Sequence, residues 1–184
     1  YYGMGRMASG IEIPFSGGDY YSIKDVPHGE IRIRQYFSKV TNSWRQLYLY
    51  TPPGYDANVG ERYPVLYILH GGGEDESGWA TQGRTDLILD NLIASGKAES
   101  MIVVMPDANV GGLPFDESGL KRFESELKDV IIPFVEKSYR TKTDADNRAL
   151  AGLSMGGLHT LYTGIKNTDL FSYLGVFSSG WIVP

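Results

Sequence analysis

The sequence predicts an α/β protein whose mostly parallel sheet is opened by an N-terminal antiparallel hairpin. Three nearly continuous apolar runs are typical of central strands covered on both faces: PVLYIL at 64–69, MIVVM at 101–105 and YLGVF at 173–177. The segments between these runs have apolar residues at spacings of three and four, which is the helical period. Strands that alternate with helices indicate a parallel sheet.

The hairpin is predicted to begin the domain. Apolar and polar residues alternate over 31–36, which indicates a half-buried strand. Residues 44–50 form the partner strand, and residues 39–43 link the two. The preceding residues, 1–29, are rich in Gly, Tyr and Pro and are interpreted as an irregular linker, so that 30–184 would form the folded domain.

Three helices are predicted between the strands. The apolar positions of 87–93 share one helical face, and Gly96 closes that helix. Residues 120–134 form a second helix, which Pro133 is expected to kink or end. Residues 158–165 form the third.

Length and composition indicate one soluble globular domain. The chain has 184 residues, of which 42% are hydrophobic and 21% charged. Its formal net charge of −5 argues against nucleic acid or an anionic membrane as a partner. No apolar run approaches the ~20 residues of a membrane span. Because the chain contains no cysteine, it has no disulfide framework and no thiolate metal site.

The stretch RALAGLSMGG carries the strongest chemical signal. Its Gly152-x-Ser154-x-Gly156 pattern follows a fourth candidate strand, 149–153, and precedes the third helix. Small residues on both sides of a serine allow a sharp strand-to-helix turn that exposes the hydroxyl. Ser154 is therefore the predicted nucleophile of an acyl-transfer reaction.

A glycine loop, His70-Gly71-Gly72-Gly73, directly follows the PVLYIL strand. Backbone N–H groups stabilise the oxyanion of a tetrahedral intermediate because they are fixed dipoles. The residue after the nucleophile, Met155, is expected to supply one of them. Gly72 is the preferred source of the second, with Gly71 and Gly73 as neighbouring alternatives.

These motifs resemble a known family of esterases. HGGGEDESGW, QGRTDLILDNLIASGKAESMIVVMPDAN and AGLSMGG are similar to bacterial enzymes of carbohydrate esterase family 1, which includes feruloyl and acetylxylan esterases. The stretch VPHGEIRIRQYFSKVTNSWRQLYLYTPPGYD resembles the multidomain feruloyl esterases of gut Bacteroidetes, in which a carbohydrate-binding module often precedes the esterase domain. The resemblance covers nearly the whole chain and implies an α/β-hydrolase fold.

The resemblance also implies a function and a location. It implies a serine esterase that needs no cofactor or metal and releases hydroxycinnamates from plant cell-wall xylan, outside the cell, in the periplasm or at the cell surface. The ligand would be an acylated plant polysaccharide or a small aryl ester. Two alternatives stay open: an acetylxylan or short-acyl esterase, and a non-catalytic carbohydrate-binding or interaction protein on a hydrolase scaffold. Candidate substrate-binding residues are His70, Gly71, Gly73, Trp79 and Trp181.

The triad is incomplete in this sequence. An α/β-hydrolase places its acid and then its histidine after the nucleophilic serine. Only His159 and Asp169 follow Ser154, and neither is placed to act on it: His159 lies inside the following helix, and Asp169 lies at the opposite end of the sheet. His28 and His70 are interpreted as structural or substrate-proximal. The expectation is a chain truncated at its C-terminus, with the catalytic Asp and His beyond it.

Overall fold

The computed structural model describes residues 2–3, 6–7, 9–11, 13 and 19–179. Its main sheet consists of β1 (Glu30–Ser38), β2 (Ser43–Thr51), β3 (Val65–Leu69), β4 (Ile102–Pro106), β5 (Arg148–Leu153) and β6 (Tyr173–Phe177). The helices are α1 (Gly78–Thr81), α2 (Thr85–Ala94), α3 (Glu117–Glu126), α4 (Ile132–Ser138) and α5 (Met155–Lys166). A separate short pair of strands, Tyr2–Gly3 and Arg6–Met7, is antiparallel.

The main sheet has the strand order β1-β2-β4-β3-β5-β6. Strands β4, β3, β5 and β6 run parallel to one another, whereas β1 pairs antiparallel with β2, and β2 antiparallel with β4. The predicted mostly parallel sheet with an N-terminal antiparallel hairpin is therefore confirmed.

Alternate residues of the central strands enter two apolar clusters, one on each face of the sheet. Val65, Tyr67 and Leu69 of β3 pack in the cluster that also contains side chains of α3 and α4. Leu66 and Ile68 of the same strand pack in the second cluster, against α2. Burial on both faces explains why β3 and β4 are continuous apolar runs in the sequence.

Strand β6 departs from the prediction of a central strand covered on both faces. It lies at the edge of the sheet, and the structure describes no strand along its outer side. Tyr173 and Phe177 are 61% and 52% exposed. The apolar run YLGVF thus forms an edge strand in the described part of the chain.

The helix predicted over 120–134 is longer and has an irregular middle. Its hydrogen bonding is α-helical in α3, becomes π-helical over Leu127–Ile131, and is α-helical again in α4. Pro133 has no N–H to donate to the carbonyl four residues earlier, and the irregular segment lies immediately before it. The proline therefore coincides with a change in helix type, and the helix continues past it.

The segment 19–29 is attached to α2 through side chains of that helix. Asp90 accepts hydrogen bonds from Gly29 N at 2.9 Å and from His28 Nδ1 at 2.8 Å. Asn91 donates to the carbonyl of Tyr20 at 3.0 Å. No helix in the described ranges is long and apolar enough to cross a bilayer.

Candidate active site

Ser154 occupies a sharp turn between β5 and α5. Its φ of 54° and ψ of −110° are unusual for a residue with a side chain, and its side chain is exposed. The turn is held on both sides, because Ser154 N donates to Phe177 O at 2.8 Å and Leu158 N donates to Ser154 O at 3.0 Å. The structure therefore places the predicted nucleophile on the tight turn that the sequence indicates.

The glycines around Ser154 are required by close backbone packing. A Cβ atom at Gly152 would overlap the carbonyl group of Gly156. A Cβ atom at Gly156 would lie 2.6 Å from the carbonyl oxygens of both Leu69 and His70. The absence of both side chains thus lets the turn lie directly against the end of β3, where the glycine loop begins.

This packing predicts a stability effect. We expect Gly152→Ala to lower the free energy of unfolding by about 2–3 kcal/mol, because the new methyl group meets backbone that cannot rotate away. Gly60→Ala is the matched control, since a Cβ there meets nothing within 4 Å. Denaturant unfolding of both variants measures the difference, and equal stabilities would contradict the packing described here.

The glycine loop places the backbone of Gly72 close to Met155, the first residue of α5. A Cβ atom at Gly72 would lie 4.0 Å from Met155 Cβ. The N–H of Met155, at the first position of the helix, has no acceptor within the helix. By contrast, the N–H of Gly71 donates to Glu74 Oε2 at 2.8 Å. The N–H of Gly71 therefore already has an acceptor, and Gly72 with Met155 stays the predicted pair of oxyanion donors.

The remaining candidate residues have different environments. Gly73 has a φ of 81°, which a residue with a side chain rarely adopts, so it shapes the turn of the loop. Trp79 is half-buried and packs against the apolar cluster over α2. Trp181 lies outside the described residues. His70 is only 1% exposed and lies beneath the loop, which favours a structural role over contact with a substrate.

The loop between β4 and α3 adds a residue that the sequence did not single out. Phe115 is 47% exposed, and its Cζ atom would lie 3.9 Å from a Cβ atom at Gly72. The carboxyl ends of parallel strands meet at one edge of a sheet, so the segment after MIVVM was a predictable neighbour of the site. Phe115 therefore places an aromatic ring next to Gly72.

Comparisons with known sequences identify the family of the chain. The sequence model of the Esterase family matches residues 38–182. The chain belongs to the Esterase family. The endo-1,4-beta-xylanase/feruloyl esterase of Xylanibacter ruminicola is 42% identical over 191 residues, an alignment that covers 100% of this chain and 26% of that protein.

Solved structures of esterases share the fold. A CE1 ferulic acid esterase from Anaeromyces mucronatus, in complex with ferulic acid, is 33% identical with a TM-score of 0.79, over 93% of this chain and 66% of that one. A feruloyl esterase module from Clostridium thermocellum, complexed with sinapinate, is 28% identical with a TM-score of 0.74, over 94% and 63%. The chain therefore has the α/β-hydrolase fold.

The three histidines of the chain have partners other than the Ser154 hydroxyl. His159 is buried in α5 with its ring edge-on to Phe123. Burial, assisted by the nearby His70, lowers the pKa of His159 to about 4, so it is neutral at pH 7. His28 is hydrogen-bonded to Asp90, and His70 to the glycine loop. None of them hydrogen-bonds Ser154, and Asp169 lies between α5 and β6 at the opposite end of the sheet.

The acidic run Glu74-Asp75-Glu76 has separate partners for each carboxylate. Glu74 accepts from Gly71 N, Asp75 from Ser77 N at 2.9 Å, and Glu76 from Gln46 Nε2 at 3.0 Å. In the described ranges, no group of three or more His, Asp or Glu side chains is arranged to hold a metal ion. The three carboxylates therefore stabilise the loop that follows β3 through these hydrogen bonds.

Proposed function

We propose that this chain carries the nucleophile and oxyanion hole of a serine carboxylic-ester hydrolase of carbohydrate esterase family 1. The observation that carries the proposal is the exposed Ser154 residue on its strained turn, followed by Met155, whose Cβ would lie 4.0 Å from a Cβ at Gly72. The similarity to the Xylanibacter ruminicola and Anaeromyces mucronatus proteins supports it.

The reaction follows from the roles of these groups. The Oγ of Ser154 attacks the ester carbonyl carbon as a general base accepts its proton. The N–H groups of Gly72 and Met155 hold the resulting oxyanion. Collapse of the tetrahedral intermediate releases the alcohol, which takes up that proton, and leaves an acyl-serine. Water then attacks the acyl-serine, releasing the carboxylic acid and restoring the Ser154 hydroxyl.

The general base and its orienting acid are proposed to come from outside these 184 residues. Two facts support this source. None of the three histidines of the chain hydrogen-bonds Ser154, and the chain spans 26% of the Xylanibacter ruminicola protein and 66% or less of the two solved esterases above. The exposed apolar side chains of Tyr173 and Phe177 on edge strand β6 offer a surface for the additional chain.

The substrate is proposed to be a hydroxycinnamoyl ester of plant cell-wall xylan, such as a feruloyl ester. Phe115 favours an aryl acyl group, because an exposed aromatic ring next to the oxyanion donors can pack against the ring of the substrate. Ferulic acid bound to the Anaeromyces mucronatus esterase supports the same class. The location consistent with such a substrate is outside the cell, in the periplasm or at the cell surface, with residues 1–29 as a linker from a preceding carbohydrate-binding module.

A direct comparison of substrates tests the proposal. We expect the intact protein to hydrolyse methyl ferulate with a kcat/KM at least about tenfold above that for acetyl groups on xylan, since the acetyl group has no ring to pack against Phe115. Chromatography of the released acids measures both rates. Release of acetate alone would contradict the hydroxycinnamoyl proposal and favour an acetylxylan esterase. Release of neither acid would favour a non-catalytic carbohydrate-binding protein.

A further inference from the structure

A chain of polar contacts runs from the peptide group between Gly71 and Gly72 to a carboxylate of helix α3. Its first side chain is that of His70, whose Nδ1 lies 2.8 Å from the carbonyl oxygen of Gly71. Because a carbonyl oxygen can only accept, Nδ1 must carry the proton of this hydrogen bond. The side chain of His70 therefore restrains the peptide group that joins Gly71 to Gly72.

This contact fixes the direction of the Gly72 N–H. In a trans peptide the C=O and the following N–H point in opposite directions. Since His70 binds the C=O from one side of the loop, the N–H of Gly72 is directed to the other side. Met155 is a neighbour of Gly72, because a Cβ atom at Gly72 would lie 4.0 Å from Met155 Cβ. Glu74 binds the N–H of Gly71 and restrains the neighbouring peptide group as well.

The other ring nitrogen of His70 has two neighbours at the end of β4. The N–H of Ala108 donates to Nε2 at 3.0 Å, and Asp107 Oδ1 lies 3.2 Å away. Burial alone would lower the pKa of His70, but the Asp107 carboxylate and the Gly71 carbonyl hold this pKa above its ordinary value. The neutral ring accepts from Ala108, and the charged ring donates to Asp107. In both states Nδ1 donates to Gly71, so the loop is held whatever the charge of the ring.

Asp107 is in turn held by a buried arginine. Arg45 of β2 donates to the Asp107 carbonyl at 2.6 Å, and its guanidinium lies 3.4 Å from the Asp107 carboxylate. Burial would raise the pKa of Asp107, but its hydrogen bonds with His70 and Asn109 and the charge of Arg45 keep that pKa below its ordinary value. The carboxylate is therefore ionised at neutral pH.

The chain of contacts ends at a fully buried carboxylate of α3. Glu126 has no exposed surface and lies 3.3 Å from Arg45 Nε. Tyr36 and Ser38 of β1 donate hydrogen bonds to its two oxygens. A buried charge is costly unless it is paired and hydrogen-bonded, and each oxygen of Glu126 has such a partner. The arrangement is therefore rigid and connects α3 through β2 to the end of β4.

We propose that His70 is a positioning residue, whose imidazole aims the N–H of Gly72 at the oxyanion. Asp107 holds that imidazole in place. Asp107 is itself held by Arg45, which pairs with Glu126. The proposal rests on the esterase activity proposed above. It assigns a role in the reaction to four polar side chains that do not contact the substrate.

Two substitutions of His70 in the intact protein test this role. His70→Leu removes the hydrogen bond to Gly71, and we expect kcat on methyl ferulate to fall by about 10²-fold, as on loss of an oxyanion donor, with KM changed by less than about twofold. His70→Asn places an amide N–H near the position of Nδ1 and is expected to recover about tenfold of that loss. Both variants deprive Ala108 N–H of its acceptor, so their stabilities should be similar.

Neutral replacements of Asp107, Arg45 and Glu126 test the contacts that lie farther from the glycine loop. Asp107→Asn is expected to lower kcat about tenfold, and Arg45→Met combined with Glu126→Gln should have a similar effect without leaving Glu126 as an unpaired buried charge. Arg62→Met removes an exposed arginine and serves as the control. Thermal unfolding of each variant shows whether it is folded.

These measurements distinguish failure of the positioning role of His70 from failure of the esterase activity on which that role rests. If the unaltered protein hydrolyses methyl ferulate but folded His70→Leu keeps its kcat, the positioning role is refuted while the proposed function stands. Equal losses in His70→Leu and His70→Asn would also refute it, because the Nδ1–H donor would then be irrelevant. If the unaltered protein has no esterase activity, the proposed function fails, and the inference fails with it.

Discussion

Replacing Ser154 with alanine in the intact protein is expected to abolish ester hydrolysis, with a fall in kcat on the order of 10⁶-fold. The hydroxyl is the only atom of this residue that can form the acyl intermediate, and its exposed position on the strained turn suits no packing role. The proposed oxyanion donors Gly72 and Met155 would remain, so catalysis ~10³–10⁴-fold over water should persist.

The control for this substitution is a serine remote from the site. Ser138, at the end of α4, is exposed, and Ser138→Ala should retain the full rate. Steady-state hydrolysis of an aryl ester by the two variants gives the comparison. A Ser154→Ala protein that keeps more than about one hundredth of the original kcat would contradict the assignment of Ser154 as nucleophile.

A second large effect is expected when residues 1–184 are produced alone. Without a base to accept the proton of Ser154, turnover should fall on the order of 10⁶-fold below that of the intact protein. The exposed apolar side chains of β6 should also make the isolated fragment less stable than the intact protein, and circular dichroism on heating measures that loss.

Esterase turnover by the purified fragment, beside its own Ser154→Ala variant, decides the source of the base. Turnover near that of the intact protein, lost in the alanine variant, would mean that the base lies within these residues. His70, His159 or His28 would then have to move to reach the serine, and the placement of the triad described above would be wrong.

The sheet was predictable because buried parallel strands have a distinctive composition. The runs at 64–69 and 101–105 are apolar throughout because both faces of β3 and β4 are covered, and their alternate residues fill the two clusters. The turn at Ser154 was predictable for a local reason, since the overlap of any Cβ at Gly152 with Gly156 leaves glycine as the fitting residue. The position of β6 at an edge depends on the neighbours of the strand, which its own sequence does not specify.

The contacts beneath the oxyanion loop were not predictable from local patterns. Three consecutive glycines are equivalent in sequence, and they differ in the structure by the hydrogen bond from Gly71 to Glu74 and by the positive φ of Gly73. Glu126 lies on the apolar face of a helix, where a charge is unexpected, and its partner Arg45 comes from a distant strand. Such pairs depend on tertiary packing, which neither periodicity nor spacing reveals.

The central claim, that Ser154 is the nucleophile of an esterase, is tested most directly by covalent labelling with a fluorophosphonate. Attack of Ser154 Oγ on phosphorus would expel fluoride and leave a stable phosphonyl-serine. We expect one equivalent of label per intact protein, loss of methyl ferulate hydrolysis in proportion to labelling, and the adduct mass on the peptide that contains Ser154. Full activity after complete labelling of Ser154, or inactivation with the label on another residue, would contradict the account.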